Sequence, residues 1–334
     1  PERSGTGLIG VIAPAAATCE LERACTDPCS GEAMAAHAPD TQGTGETPQL
    51  RRVVGLWLLV LYGLGVTIGA GIYVLVGETV ARAGVHAPFA FLLSAIVMGF
   101  TAGTFAELSC RVPRAAGEAV YVDAAFGRNW LTLTVGGAIL AEAVVAAAAI
   151  SIGCAGYLAE LVPLPKQTLV ALVIVAMAGV AAWGVRESIL AAGVMTVVEV
   201  LALLAIVVAG LIAPPELPAA TGAPTAALAL PTSPEALSGV LSASLIAFFA
   251  YIGFDDIVNL VEEARNPRRS VPLAIVITLV TVTLIYTLVA TVAVRSVPVD
   301  ELAASTAPVS LLFERLTGMS PLGITLIAIL ATMN

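Results

Sequence analysis

A helical membrane bundle is the fold class this sequence predicts, and three observations predict it. Of its 334 residues, 58% are hydrophobic and 12% charged, with a mean hydropathy of +0.97, whereas a soluble domain is about a quarter charged. Seven apolar runs come up to the roughly 20 helical residues that cross a hydrocarbon core about 30 Å thick. The short alternating segments of a membrane barrel are absent, and helices then remain as the way to satisfy backbone groups inside lipid.

Residues 1–50 are rich in Ala, Gly, Thr and Pro without helical periodicity and are expected to be disordered. "GLIGVIAPAAATC" has only a faint signal-peptide character, because Pro14 interrupts it and Glu2 offsets Arg3. No initiator Met opens the chain, and Met34 begins a short polar lead into Arg51, so residues 1–33 are expected to be upstream sequence. Residues 51–334 form the membrane domain. Its spans are predicted at 55–77, 88–110, 130–156, 168–184, 189–213, 237–260 and 271–294. An eighth begins at Pro321 and reaches only Asn334, too short to cross, so the domain is expected to be truncated in that span. The connection 214–236 is Pro- and Ala-rich, and 295–320 mixes charges with short apolar turns.

Orientation follows from Lys and Arg. A cytoplasmic amino terminus places Arg51, Arg52, Arg111, Arg114, Arg128, Arg186, Arg265, Arg268 and Arg269 inside and only Arg82, Lys166, Arg295 and Arg315 outside, as the positive-inside rule requires. The net charge of -9 arises from acids in the tail, in outer loops and at a few span positions, which makes the bilayer, not nucleic acid, the expected partner. Cys110 and Cys154 lie in or beside spans as small hydrophobes. Cys19, Cys25 and Cys29, with five and three residues between them, fit no zinc spacing.

The first span carries "GLGVTIGAGIYVLVG", residues 63–77. Gly65 and Gly69 form a small-xxx-small pair suited to close helix packing. Gly71 and Thr67 add to that pair, and in the sixth span "FFAYIGFDD" sets Gly253 beside Asp255 and Asp256. Paired interruptions five spans apart point to a transporter built from inverted repeats, where unwound backbone meets a ligand. A zwitterion fits: helix N-terminal amides at "IGAG" take a carboxylate, and freed carbonyls near "FFAYI" take an ammonium.

Together with "FAELSCRVPRAAGEAVYVDAAFG" and "FFAYIGFDDIVNLVEEARNPRRSVPLAI", the glycine-rich stretch resembles the amino acid, polyamine and organocation transporters. The likeness is closest to the branch of bacterial amino acid permeases and cationic amino acid transporters, and it covers residues from about 50 to 334. It implies a five-plus-five inverted-repeat bundle of the leucine transporter (LeuT) type, with the first repeat at about 55–213 and a partial second at 237–334. By that likeness, Thr67, Ile68, Gly69, Ala70 and Gly71 receive the substrate carboxylate through their amides, and the carbonyls of Phe249, Ala250 and Ile252 take its amino group. Phe254 and Tyr251 are then candidates for an aromatic gate or pocket wall, with plain packing the alternative.

Ionisable residues within spans are functional hypotheses by default. Glu107 is expected to snorkel or to pair with Arg111. Glu142, in "AILAEAVV", matches an acid near the family's pocket floor. Glu199, in "TVVEVLALL", stands where some proton-coupled relatives carry a lysine, and a carboxylate cannot act as that cation. Glu142 and Glu199 lack a buried cationic partner in the sequence, which points to proton coupling through Glu199; a sodium ion on the same carboxylate is the rival. Glu262, Glu263, Arg265, Arg268 and Arg269 form either a cytoplasmic salt-bridge gate or a solvated face around the Asn266–Pro267 turn.

A membrane enzyme would need a catalytic constellation, yet the histidines are His37 in the tail and His86 in an outer loop, and no metal cluster or nucleophile motif stands out. No cofactor is expected beyond a coupling ion. The expectation is a proton-coupled secondary amino acid transporter of a bacterial inner membrane. A sodium-coupled carrier, an exchanger of amino acids or polyamines, and a transporter-like sensor are the alternatives.

Overall fold

The computed structural model describes residues 52–115, 117–183, 189–212 and 229–334. The expected disorder at 1–50, the three tail cysteines, His37, Arg51, Arg186 and most of the 214–236 connection lie outside the described residues. Eleven α-helices follow within them: α1 Leu56–Ala83, α2 Ala87–Arg111, α3 Gly117–Phe126, α4 Asn129–Leu161, α5 Lys166–Trp183, α6 Ile189–Ile212, α7 Pro234–Phe249, α8 Pro267–Ser296, α9 Val299–Ala304, α10 Pro308–Thr317 and α11 Leu322–Met333. A 3₁₀ segment, Phe254–Leu260, continues α7.

Each predicted span coincides with a helix, and the boundaries have local causes. Gly84, at φ +57°, stops α1, and Pro88 sits in the first turn of α2. Ser233 caps α7 by accepting the Ala236 N–H at 3.1 Å, with Pro234 just inside. Pro267 opens α8, and Gly318 closes α10 in the left-handed region. At about 1.5 Å per residue the 33 residues of α4 extend about 50 Å, longer than the hydrocarbon core, so this helix is tilted or projects beyond it.

The core is centred on α1, which touches α2, α4, α6, α7, α8, α9, α10 and α11. With α2, α7 and α8 it makes one closely packed group, where the Ser94 hydroxyl on α2 donates to the Ser244 carbonyl on α7 at 2.7 Å. Helix α6 packs directly on α1 and α8, α4 touches α1 and carries α5 on its far side, and α11 packs on α1, α4 and α6. Large apolar side chains such as Trp57, Phe100, Leu133, Val175, Leu201 and Leu284 are exposed, which suits a surface solvated by lipid.

The two ends are closed differently. At one end Val54 forms an isolated parallel bridge with Ala264: its N–H donates to the Glu263 carbonyl and its carbonyl accepts the Arg265 N–H, both at 3.0 Å. Beside it the Ala115 N–H donates to Glu262 Oε1 at 3.1 Å. At the far end the connection read as charges and short apolar turns folds into α9 and α10. There the Thr325 hydroxyl bonds Glu160 Oε2 at 2.7 Å and lies 2.8 Å from the Ser310 hydroxyl. Gly156 lies so near the Thr306 carbonyl that a β-carbon would collide with its oxygen. Gly156→Ala should therefore lower stability by about 1–3 kcal/mol. Gly136→Ala, in open space, should leave the melting temperature in detergent unchanged.

Candidate functional site

Within α1, Gly69 departs from helical geometry at φ -19°, ψ -110°, dividing an apolar amino-terminal half, Leu56–Gly69, from a carboxy-terminal one that resumes at Gly71. The glycines at this break face three neighbours. A β-carbon on Gly65 would strike the Thr196 hydroxyl on α6, one on Gly69 would lie 2.8 Å from the Ala331 carbonyl of α11, and one on Gly71 would lie 2.7 Å from both the Ala250 carbonyl oxygen and the Tyr286 hydroxyl. Close packing and a break in the helix thus occur together. Thr67 does not offer its hydroxyl to the gap, because it donates back to the Gly63 carbonyl at 2.7 Å.

The second interruption meets the first. After Phe249, successive i→i+3 turn bonds carry the chain to Gly253 at φ +123°, a conformation that favours glycine. The Gly253 N–H donates to Asp255 Oδ1 at 2.9 Å, and Asp256 Oδ1 accepts from Asn259 at 3.1 Å, so both acids organise the turn. A β-carbon on Gly253 would lie 3.1 Å from the Val66 carbonyl oxygen. The backbones of 66–71 and 250–253 are therefore in direct contact.

Between them stands Tyr286 of α8, fully buried, whose hydroxyl lies 2.7 Å from the Thr67 carbonyl and 3.1 Å from that of Ala250. One phenolic proton is shared by two acceptors that the helix breaks have freed. The ring packs against Tyr251 and Phe91, at 5.3 and 5.7 Å between centroids.

Of the residues expected at the site, Thr67, Ile68, Gly69, Gly71 and Ala250 gather here. Ala70 lies on the same turn, and its side chain is outside what is described. The Phe249 carbonyl accepts the Ile252 N–H at 3.3 Å while its ring is exposed, and Ile252 is half-buried against the core. Tyr251 is tied into the packing, its hydroxyl donating to the Phe91 carbonyl at 3.1 Å. Phe254 is buried edge-on against Phe105, which packs in the same way on Tyr121.

The two span acids differ. Glu199 is 1% exposed, and among the described residues the Asn334 amide stands beside its carboxylate, with no partner at good hydrogen-bond geometry. Glu142 departs from the expectation of a buried acid: it is exposed, because the described helices cover only the later part of α4, from Ser151 to Tyr157. It stands instead near Glu118 and Asp255, and its charge adds to theirs at the end of α3. In the gate segment, Glu262 bonds the Ala115 amide, Glu263 is half-buried, and Arg265, Arg268 and Arg269 are exposed. Glu107 pairs with Arg111, as its spacing suggested.

Tyr286 and Tyr73 escaped the sequence reading, as did the role of Thr196. A tyrosine in mid-span carries a polar tip that seeks a partner, and this signal is present in "LIYTL" and "GIYVL". A separate cavity of about 560 Å³, lined by Asp123, Asn129, Thr132, Leu133, Gly136, Gly137 and Leu140, lies along α3 and α4, away from the broken helices.

Among the described residues five segments are long and apolar enough to cross a membrane, which defines a polytopic membrane protein. Residues 54–333 match the amino acid permease family, to which the chain belongs. It is 34% identical over 276 residues to the vacuolar cationic amino acid transporter 2 of Arabidopsis thaliana, covering 77% of this chain and 42% of that protein. It is 27% identical over 293 residues to the branched-chain amino acid permease BcaP of Bacillus subtilis, covering 81% and 60%, and 31% identical over 301 residues to human cationic amino acid transporter 4, covering 83% and 46%. The chain thus spans about half the length of the relatives it matches.

Two predictions follow from this geometry. Gly71→Ala pushes a methyl to 2.7 Å from the Ala250 carbonyl oxygen and the Tyr286 hydroxyl and should lower stability in detergent by about 1–3 kcal/mol, read as a drop in melting temperature. At the inner end, burial pushes the Glu118 carboxyl above its ordinary value; its backbone hydrogen bond opposes this, and Asp255 and Glu142 add to the rise. The folded chain then binds this proton more tightly than the unfolded chain, so stability falls as pH rises from the ordinary to the raised value. Glu118→Gln should match wild type in melting temperature near about pH 4 and exceed it by a few degrees near about pH 7.5.

Proposed function

We propose that this chain forms the substrate-holding part of a secondary amino acid transporter that works by alternating access, with proton entry through Glu199 driving accumulation. The observation that carries the reading is the contact of the two helix breaks, where the Thr67 and Ala250 carbonyls converge on one buried hydroxyl inside an apolar bundle, which suits a polar solute that lipid rejects. The amides around Ile68, Gly69, Ala70 and Gly71 receive the carboxylate, and the carbonyls of Phe249, Ala250 and Ile252 receive the ammonium. Tyr286 supports this assignment, because its hydroxyl already gives the Thr67 and Ala250 carbonyls a donor, and an ammonium brings three. The substrate then enters by displacing that hydroxyl as the group of α1, α2, α7 and α8 moves against α4, α5, α6 and α11, the division expected of a LeuT-type bundle.

The names of the relatives bring both cationic and branched-chain amino acids into view. A small neutral amino acid is the first choice here, and a cationic one, drawn by Glu142 and the acids near it, the second. The gathering of Arg52, Arg114 and Arg265 near the Val54–Ala264 bridge supports a cytoplasmic amino terminus in a bacterial inner membrane. Sodium remains the rival coupling ion, since both oxygens of Glu199 lack a partner at good hydrogen-bond geometry and the Thr196 hydroxyl is one turn away.

The test uses the full-length gene product in liposomes, labelled L-alanine and L-arginine, a panel of unlabelled competitors, and proton and sodium gradients imposed separately. Wild type should accumulate one label under the proton gradient, and Glu199→Gln should reduce that accumulation about tenfold or more. Binding without accumulation of either label would identify a sensor, and accumulation driven by sodium alone would transfer the coupling to that ion.

A further inference from the structure

The chain passes from one packed body to the other between α2 and α3. Helix α2 belongs to the group with α1, α7 and α8, whereas α3 packs on α4. Residues 112–116 make the crossing, from Arg111 at the end of α2 to Gly117 at the start of α3. Their backbone groups lie outside both helices, so they need partners from elsewhere. Arg114 finds one locally, its N–H donating to the Val112 carbonyl at 2.8 Å. The Ala115 N–H instead reaches across 147 residues of sequence to Glu262 Oε1, at 3.1 Å.

The neighbouring contacts are apolar. A β-carbon on Gly117 would lie 3.3 Å from the Val258 side chain, and the Tyr121 ring of α3 stands edge-on to Phe105, which stands edge-on to Phe254. The buried Tyr121 hydroxyl makes no hydrogen bond. Among the described residues, the bond from Ala115 to Glu262 is the one hydrogen bond between residues 112–126 and residues 250–266. Apolar surfaces part or slide without a preferred direction, whereas a hydrogen bond fixes one. Glu262 stands two residues before Ala264, which is bridged to Val54 ahead of α1. Holding Glu262 therefore holds both bridged segments against the crossing. Arg114 and Arg265 flank the two partners in sequence, yet among the described residues neither pairs with Glu262. At the far end the boundary between the two bodies carries a bond as well, from the Tyr157 hydroxyl of α4 to the Tyr73 carbonyl of α1.

We propose that Glu262 is a positioning residue of the transport cycle: as a hydrogen-bond acceptor, not as a charge, it latches the crossing to the bridged segments and keeps this end closed. The inference rests on the alternating-access reading. Opening at this end parts the bridged segments from α3, which breaks the bond and draws Val258 away from Gly117; closing restores both. No covalent bond changes. An amide N–H asks only for an acceptor oxygen, which glutamine supplies and alanine does not. A salt-bridge gate makes a different demand, because there the charge matters and glutamine fails. Losing the latch favours the state open at this end, so the site binds from that face with a lower apparent KM and from the opposite face with a higher one.

Wild type, E262Q and E262A of the full-length protein are compared in right-side-out and inside-out membrane vesicles, using whichever of labelled L-alanine and L-arginine wild type exchanges by counterflow. Hydrogen exchange of the Ala115 amide is followed on the purified proteins. E262A should lower the counterflow KM about threefold to tenfold at the face that carries the bridge and raise it at the other, and should speed Ala115 exchange by a similar factor, the weight of one hydrogen bond. E262Q should stay within about twofold of wild type on each measure. Equal behaviour of E262Q and E262A overturns the inference while alternating access stands. So do KM values that E262A leaves unchanged or moves in one direction at both faces, and an Ala115 amide whose exchange E262A does not speed. Absence of wild-type counterflow at both faces removes the transport reading, and this inference with it. Should E262A fail to reach the membrane, E262M keeps the side-chain length without the oxygen and carries the same expectations.

Discussion

Inside a bilayer a peptide group without a partner is costly, and the rest of this structure depends on how that constraint is met where α1 and α7 are interrupted. The breaks leave carbonyls at Thr67 and Ala250 that their own helices no longer satisfy. A single side chain from a third helix, Tyr286, answers both. Its reach requires the backbones of α1 and α7 to lie almost in contact, and that in turn requires glycine at 71 and at 253. Without a β-carbon at those positions, the polar groups of one break lie within reach of the other.

Much of this was legible in the sequence. Helix at all seven predicted spans follows from hydrophobic runs, because lipid leaves few alternatives, although among the described residues five segments are long and apolar enough to cross a membrane. The two interruptions were visible because glycines crowd one span and a Gly-Asp-Asp run ends another. What escaped depends on neighbours that no local pattern specifies. Tyr286 lies amid an unremarkable run, and its importance comes from Thr67 and Ala250, the former 219 residues away in sequence. Glu142 failed in the opposite direction: position within a span suggested burial, but burial is a property of what packs on α4, not of α4 itself. The helices α9 and α10 were read as irregular because each is too short to show a span-length apolar signal.

The acids illustrate how location changes meaning. Asp255 and Asp256 are absorbed in shaping the turn after Gly253, and Glu118, on the short helix α3, feels the charges of Asp255 and Glu142. Glu199 is buried where α6 packs against α1, α8 and α11, with only the Asn334 amide beside it among the described residues.

The parallel bridge between Val54 and Ala264 has a mechanical meaning. It ties the chain just before α1 to the chain just after the 3₁₀ continuation of α7, by two backbone bonds that only a proline at 54 or 265 would remove. The two segments are consequently yoked at their base as well as joined at the breaks. A tug on either is passed to its twin, so this end of the protein behaves as one lever rather than two.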